Sequence, residues 1–357
     1  MDLESKFELI KQVGEEILTE EELRQLLQTK EHPIAYDGFE PSSYDIHIAQ
    51  GVLRAININK MTKAGIKFKM LIADWHAWAN NKMGGDLGRI QTVGKYLIEV
   101  WKHCGMDLKN VEFMWANDFI KEPEYWKKVM QIARNSTVNR IIRTGQIMGR
   151  KEGEMQQASQ ILYPCMQCAD IFQLKADITQ LGMDQRKVNV LARELGPSLG
   201  FWKPVVVSHH MLMGLGEPPK SKYIDRVIDL KMSKSKPDTA VFINDSGEEI
   251  KRKISKAYCP AKVIEENPLL EYSKYLIFEK FKVMEMKRQE KFGGDLCIEN
   301  FKELERLYGE GKIHPMDLKN STAYYINEMV KPVREAFEKD SKLRHLLETI
   351  RKFEVTR

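Results

Sequence analysis

Long apolar runs, paired cysteines and charge of a single sign are all scarce in this chain of 357 residues. No apolar stretch approaches the ~20 residues that a membrane-spanning helix needs, so no membrane span is expected. The five cysteines (Cys104, Cys165, Cys168, Cys259 and Cys297) are odd in number and scattered, which excludes a disulfide framework as the basis of the fold. The first residues, Met1-Asp2-Leu3-Glu4, are acidic with no apolar segment behind them, unlike a secretory leader or a transit peptide. These absences predict a reduced, cytoplasmic protein. No internal repeat and no low-complexity linker interrupts the chain. Apolar residues at 43% are too many for a disordered chain and enough for a sizeable core. With 56 Lys+Arg against 51 Asp+Glu the net charge is only +5, which permits a nucleic-acid partner without announcing one.

The pattern of elements divides the chain in three. Residues 1–32 read as a helical segment, with Thr19 and Glu22 forming a capping box ahead of Leu23, Leu26 and Leu27. From 33 to 245, short β-type runs (67–74, 111–116, 177–181, 205–208) alternate with helical stretches (86–104, 122–135, 185–195). Strands separated by helices of ten or more residues predict βαβ units and a parallel sheet, an α/β class. From 246 to 357 the spacing is helical throughout (248–257, 271–287, 301–308 and a long C-terminal stretch), with Ile326, Val330, Val333 and Phe337 on one face. Pro332 is expected to kink or restart that last helix.

Four local patterns could carry chemistry. The loop Lys231-Met232-Ser233-Lys234-Ser235 places two lysines three apart among hydroxyls, suited to neutralising a triphosphate; the alternative is a solvated basic loop. Gly38-Phe39-Glu40-Pro41-Ser42 leads to His47-Ile48-Ala49-Gln50 at a helix start, where a glycine loop and free N–H groups favour an anion. His47 would then donate to a phosphate, or be merely structural. In Tyr163-Pro-Cys-Met-Gln167-Cys-Ala-Asp170, the phenol, amide and carboxylate fall at i, i+4 and i+7, one helix face bordered by apolar residues. Its Cys165-x-x-Cys168 has neither a second pair nor a histidine at ligand spacing, so no metal site is expected. Gly182-Met183-Asp184-Gln185 joins a strand-like run to a helix, the place where open parallel sheets bind ligands and an acid reads ribose hydroxyls. It also reads as a plain turn. His209-His210 lacks a third ligand and is taken as structural.

Taken in chain order, with the lysine loop last, the four patterns resemble the class I aminoacyl-tRNA synthetases, and within them the tyrosyl branch of the eukaryotic and archaeal type. The likeness runs from about Pro33 to the C-terminus and includes IADWHAW, NNKMGGDL, YPCMQCADIF and GMDQRKVNVLARE. It implies a Rossmann-like catalytic domain over 33–245, an all-α anticodon-binding domain over 246–357, and a homodimer. The implied reaction joins tyrosine and ATP into tyrosyl-adenylate with Mg²⁺ on the phosphates, then transfers tyrosine to the 3′ adenosine of tRNA(Tyr). By matching motif, Tyr36 and Asp170 would hold the substrate phenol, and Tyr163, Gln167 and Gln185 its ammonium group. Leu71, Ala73 and His76 would line the ring pocket. ATP would meet Gly38, His47, Gly182, Asp184, Lys231 and Lys234, with His47 and the two lysines acting in catalysis. Phe292 and Asp317 would stack on and read an anticodon base.

Two departures accompany the likeness. Gln50 stands where the class signature often has a second histidine, as it does elsewhere in the eukaryotic tyrosyl branch. The segment 217–230 is longer than the connection usual before such a lysine loop. A further C-terminal domain known from animal relatives is expected to be absent. Three other readings compete: the tryptophanyl enzyme, a non-catalytic RNA-binding protein of the same fold, and a small nucleotidylyltransferase. Tyr36 and Asp170 count against the first, the intact lysines and Asp184 against the second, and the helical portion after 246 against the third.

Overall fold

A computed structural model describes residues 1–149, 157–219 and 230–353. The chain opens with α1 (Leu3–Lys11), β1 (Gly14–Leu18) and α2 (Glu20–Thr29). The expected capping box is formed: Thr19 accepts from the Glu22 amide, and Glu22 accepts from the Thr19 amide. The strand between the helices was not expected. There follow β2 (Ile34–Phe39), α3 (Arg54–Lys63, entered through a wide π turn at Ala49–Leu53), β3 (Lys67–Ile72), α4 (Asp74–Ala79) and α5 (Leu87–His103). Then come β4 (Val111–Trp115), α6 (Ala116–Phe119), α7 (Pro123–Arg134), α8 (Val138–Thr144), α9 (Ala158–Gln173), β5 (Ile178–Thr179), α10 (Arg186–Ser198) and β6 (Val205–His209).

The strands form one sheet in the order β1-β6-β5-β2-β3-β4, parallel except for β1, which runs antiparallel to β6. Residues of β3 show how its two faces are used. Phe68, Met70 and Ile72 enter a core built with α1, α3, α5 and the residues after 246, whereas Leu71 enters a second core with α7, α9 and α10. Burial on both faces is why these strands read as apolar runs rather than alternations. Trp101 and Tyr96 of α5 are fully buried in the first core, and burying a side chain of that size stabilises by ~2–3 kcal/mol. Helix α5 presses close to the sheet at Gly94, where a Cβ would sit 2.7 Å from the Trp115 ring.

Connections from β2 run to β3 and β4 on one side and later to β5 and β6 on the other. The strand order therefore reverses between β2 and β5, which opens a crevice at their carboxyl ends. Gly38 lies inside β2 instead of in a loop, so the anion-binding loop expected there is confined to the residues between Phe39 and the π turn. Hydrogen bonding of Gly38 between β3 and β2 explains the difference: the register pairs Gly38 with Leu71.

After 246 the regular elements among the described residues are helices and one ribbon: α11 (Gly247–Ser255), α12 (Pro268–Tyr272), α13 (Phe278–Lys280), β7 (Met284–Met286), β8 (Leu296–Ile298), α14 (Phe301–Gly309), α15 (Pro315–Lys339) and α16 (Ser341–Ile350). The antiparallel pair β7–β8 replaces the C-terminal part of the helix expected over 271–287, because Met284, Met286 and Ile298 bury on one face of a ribbon. Helix α15 passes through Pro332 without a break, held by buried Val330 and Val333 on either side of it.

His210 ties three parts of the chain together. Its Nδ1 lies 2.8 Å from Glu15 of β1, its Nε2 lies 2.9 Å from Glu271 of α12, and its ring stacks on Tyr275 at 4.4 Å. Burial opposes its charge, but the two carboxylates outweigh burial and raise its pKa from 6.5 to about 9. A raised folded-state pKa contributes stability that is complete below the unfolded value and is lost as pH rises through the folded one. His210→Gln is therefore expected to destabilise by up to about 3 kcal/mol below pH 6.5, with the deficit vanishing above about pH 9. Urea midpoints for parent and variant across pH 6–10 check this, and a deficit independent of pH would contradict it.

Candidate active site

The crevice at the β2/β5 reversal is a cavity of about 350 Å³. It brings together Tyr36, Gly38, His47, Leu71, Ala73, His76, Tyr163, Gln167, Asp170, Gly182, Asp184, Gln185, Lys231 and Lys234, from widely separated stretches of sequence. Asp317 stands apart, in the first turn of α15, and Phe292 lies in the short turn Glu290–Phe292 with its side chain outside the described residues. Most of segment 217–230 also lies outside the described residues.

One end of the cavity is a buried polar cluster on the face of α9. Tyr163, Gln167 and Asp170 share that face, as their spacing predicts, although Pro164 sits within the helix. Asp170 is wholly buried; one carboxylate oxygen accepts from the Tyr125 hydroxyl at 2.9 Å, and the other lies 2.9 Å from Nε2 of His76. Burial penalises a charged His76, yet Asp170 overrides it and raises the pKa. The two thus face each other as a buried pair in which the acid favours the charged form of the ring. Tyr36 of β2 is buried beside them, and burial followed by the Asp170 charge pushes its phenol well above the usual range. It stays a neutral donor and acceptor. Gln167 donates to Gln185 at 3.0 Å, and Gln185 donates to the Ile147 carbonyl at 3.0 Å, so both amides have fixed orientations.

The other end is cationic. Lys231 donates to Asp184 at 2.7 Å; burial raises the Asp184 pKa, but Lys231 outweighs burial and the net shift is down. Gly182 leaves no room for a side chain, since a Cβ there would meet Asp184 Oδ1 at 2.7 Å and Met211 Sδ at 2.5 Å. Lys234 Nζ is buried with no hydrogen-bond acceptor among the described residues, and it lies 5.8 Å over the Phe39 ring. Burial lowers its pKa to about 8 against the opposing carboxylates of Asp45 and Glu40. His47 is also buried, and burial with the charges of Lys234, Lys231 and Arg54 pushes it well below the usual histidine range. Its Nδ1 accepts from the Gln50 amide at 3.4 Å. That leaves the proton on Nε2, a neutral donor available to an anion. Gln50 is structural on its other side as well, its carbonyl accepting from the Trp101 indole at 2.8 Å.

Sequence reasoning missed Tyr125 and Arg54. Arg54 lines the cavity and holds buried Asp37 at 2.7 Å. Tyr125 is 45 residues from its partner Asp170, and the only sequence signal was an aromatic among apolar residues on α7. Tyr125→Phe removes a hydrogen bond to a charged group, a loss of about 1.5–3 kcal/mol to Asp170. The expected result is a KM for the ligand of this pocket raised by roughly tenfold together with a lowered melting temperature, read by steady-state kinetics and a melt. An unchanged KM would separate Tyr125 from the pocket.

A family model described as tRNA synthetases class I (W and Y) matches residues 28–331. The chain is 48% identical over its whole length to Tyrosine–tRNA ligase 1, cytoplasmic, of Arabidopsis thaliana, covering 90% of that protein. It is 43% identical to a tyrosine–tRNA ligase of Thermococcus kodakarensis, with full coverage of both. Among solved structures, the tyrosyl-tRNA synthetase of Pyrococcus horikoshii complexed with L-tyrosine superposes with a TM-score of 0.90 at 40% identity, over 98% of this chain and 100% of that one.

Proposed function

The chain belongs to the class I tRNA synthetases of the tryptophan and tyrosine type, and from that premise we propose how it works as a tyrosine–tRNA ligase, activating tyrosine with ATP and transferring it to tRNA(Tyr). One observation carries the assignment of roles. A single cavity has a buried phenol-reading cluster at one end and two lysines with a neutral histidine at the other.

Tyrosine enters ring first. Its hydroxyl donates to Asp170, already held by Tyr125 and His76, and accepts from Tyr36, while Leu71, Ala73 and His76 flank the ring. Its ammonium group meets Tyr163, Gln167 and Gln185, acceptors whose orientations are set by their neighbours. The substrate carboxylate then points toward the cationic end. There ATP lies with its adenosine against Gly182 and Asp184 and its phosphates against Gly38, His47, Lys231 and Lys234. A carboxylate oxygen of tyrosine attacks the α-phosphorus, the α–β bridge breaks, and pyrophosphate leaves with the electron pair. His47 Nε2–H and the two ammonium groups match the negative charge that gathers on the phosphates, so catalysis is positioning and electrostatics without a covalent enzyme intermediate. In the second step a ribose hydroxyl of the terminal adenosine attacks the carbonyl and AMP departs.

Mg²⁺ travels with ATP in this reading, held by phosphate oxygens and water. Among the described residues no three His, Cys, Asp or Glu side chains are grouped to hold a metal. The Asp184–Lys231 pair opens when ribose takes Asp184 and phosphate takes Lys231. Residues 33–245 form the catalytic domain, preceded by the segment 1–32, and 246–357 the anticodon-binding domain, where Asp317 and Phe292 read a base. A homodimer is supported by apolar side chains exposed on α7, α8 and α9, among them Met130 at 61% and Val138 at 64%. No helix among the described residues is long and apolar enough to cross a membrane. The cytoplasm is the proposed location, in keeping with the name of the Arabidopsis relative.

Exchange of labelled pyrophosphate into ATP, driven in turn by tyrosine, phenylalanine and tryptophan without tRNA, tests the pocket. Exchange with tyrosine alone is expected. Exchange driven by tryptophan would move the specificity, and none with any of the three from folded protein would leave only an RNA-binding role.

A further inference from the structure

The strap Leu212–Leu215 runs between the lysine loop and the helices after 246. On one edge it pairs with the loop: Met213 opposes Lys231 in an antiparallel bridge, with Gly214 donating to the Leu230 carbonyl at 2.9 Å and Met232 donating to the Leu212 carbonyl at 2.7 Å. These are the bonds of a pair whose own N–H and C=O groups point away from each other. Met213 therefore turns its backbone groups to the opposite edge, and both are taken there by consecutive residues of α12. Glu271 Oε1 accepts from the Met213 amide at 2.6 Å, and the buried Tyr272 hydroxyl donates to the Met213 carbonyl at 2.8 Å. Two residues further along, the Tyr258 amide donates to the Leu215 carbonyl at 2.8 Å.

We infer that Glu271 and Tyr272 are positioning residues for Lys231, setting the height of the strap and with it the place of the Lys231 ammonium group beside Asp184. The inference rests on the role given above to Lys231 in the reaction. Met213 is buried, so its backbone groups have no water to turn to when either partner is lost. The strap must then shift, and the pairing at Lys231 moves with it. The tyrosine end of the cavity, built from β2 and α9, shares none of these bonds. A positional error at Lys231 thus slows the chemical step and leaves tyrosine binding alone, whereas general loosening of the fold would alter both.

The full-length chain carries the test, with tyrosine-dependent pyrophosphate exchange as the readout. Tyr272→Phe keeps the ring and removes the hydroxyl; Glu271→Gln keeps an acceptor oxygen for the Met213 amide, and Glu271→Ala removes it. Tyr272→Phe and Glu271→Ala are expected to lower kcat by about five- to tenfold with KM for tyrosine unchanged, and Glu271→Gln to recover most of the rate. In the Lys231→Ala background, Tyr272→Phe is expected to cost nothing further, because the residue it positions is gone. A loss that multiplies with that of Lys231→Ala overturns the positioning role and leaves the role of Lys231 intact. A parental rate in Lys231→Ala alone overturns the role of Lys231 and this inference with it.

Discussion

Asp170→Asn is expected to reduce tyrosine-driven pyrophosphate exchange by on the order of 10³-fold, chiefly through KM for tyrosine, in a protein that still folds. The substitution preserves shape and changes only charge and one donor. In the parent, one carboxylate oxygen of Asp170 accepts from Tyr125 and the other faces His76 Nε2. Asparagine has one acceptor oxygen where Asp170 has two, so Tyr125 and His76 no longer both meet an oxygen in this fully buried place. The substrate phenol loses its anionic acceptor as well. Sites that hydrogen-bond a substrate hydroxyl reject the analogue lacking it by ~10⁴–10⁵, and tyrosyl enzymes facing phenylalanine are themselves the standard example. Asp170→Asn should bring that preference for tyrosine over phenylalanine down to within about 10², because the pocket no longer depends on the hydroxyl. His76 supplies an independent check. Its pKa is raised because Asp170 overrides burial. With the carboxylate gone, burial is opposed only by the charges of Glu40 and Asp74, and the NMR titration of the His76 ring should move down from its value in the parent. A ring that titrates as before would mean that the two do not form the pair described, and an unchanged KM would remove Asp170 from tyrosine recognition.

The residues of that pocket were legible to different degrees, and the differences are physical. The face Tyr163–Gln167–Asp170 follows from helical spacing alone, since i, i+4 and i+7 coincide whatever surrounds them. Its destination was not legible: that Asp170 meets His76 and Tyr125 depends on α4, α7 and α9 packing on one face of the sheet. Strand β2 was hidden because Pro33, Asp37 and Gly38 all disfavour strands locally. It exists because its backbone is paired on both sides, with β3 and with β5. The same holds for β1, a short stretch between two helices whose partner β6 lies almost 200 residues on. The glycine of the expected phosphate loop was assigned from its type, and the register with Leu71 makes it a strand residue that still lines the cavity. The βα alternation, by contrast, was read correctly because burial on both sheet faces makes parallel strands apolar throughout. Local patterns thus specified which side chains share a helix face; the non-local pairing of backbone decided what those faces enclose.

Lys234→Ala is the second large effect, with kcat for tyrosine-driven exchange expected to fall by about 10²–10³ while KM for tyrosine stays put, since a preorganised charge aimed at developing negative charge acts mainly in the transition state. Its pH dependence separates Lys234 from a lysine that merely holds ATP. Burial lowers the Lys234 pKa to about 8, with Asp45 and Glu40 opposing that shift and Lys82 adding to it. The useful form is the protonated one, so in the free enzyme it is lost as pH rises through about 8. kcat/KM for ATP reports groups of the free enzyme and should decline above that pH. Once ATP is bound, the phosphates stabilise the ammonium group, and the decline in kcat should begin at higher pH than the decline in kcat/KM. His47 does not produce this limb, because its pKa lies well below the ordinary histidine value and it is neutral across the range. Lys234→Arg completes the argument: a guanidinium keeps its charge throughout, so the alkaline limb in kcat/KM for ATP should vanish even though the wider head group lowers the rate. A limb that survives Lys234→Arg unchanged would belong to another group, and the poised buried lysine would then have no part in the chemistry.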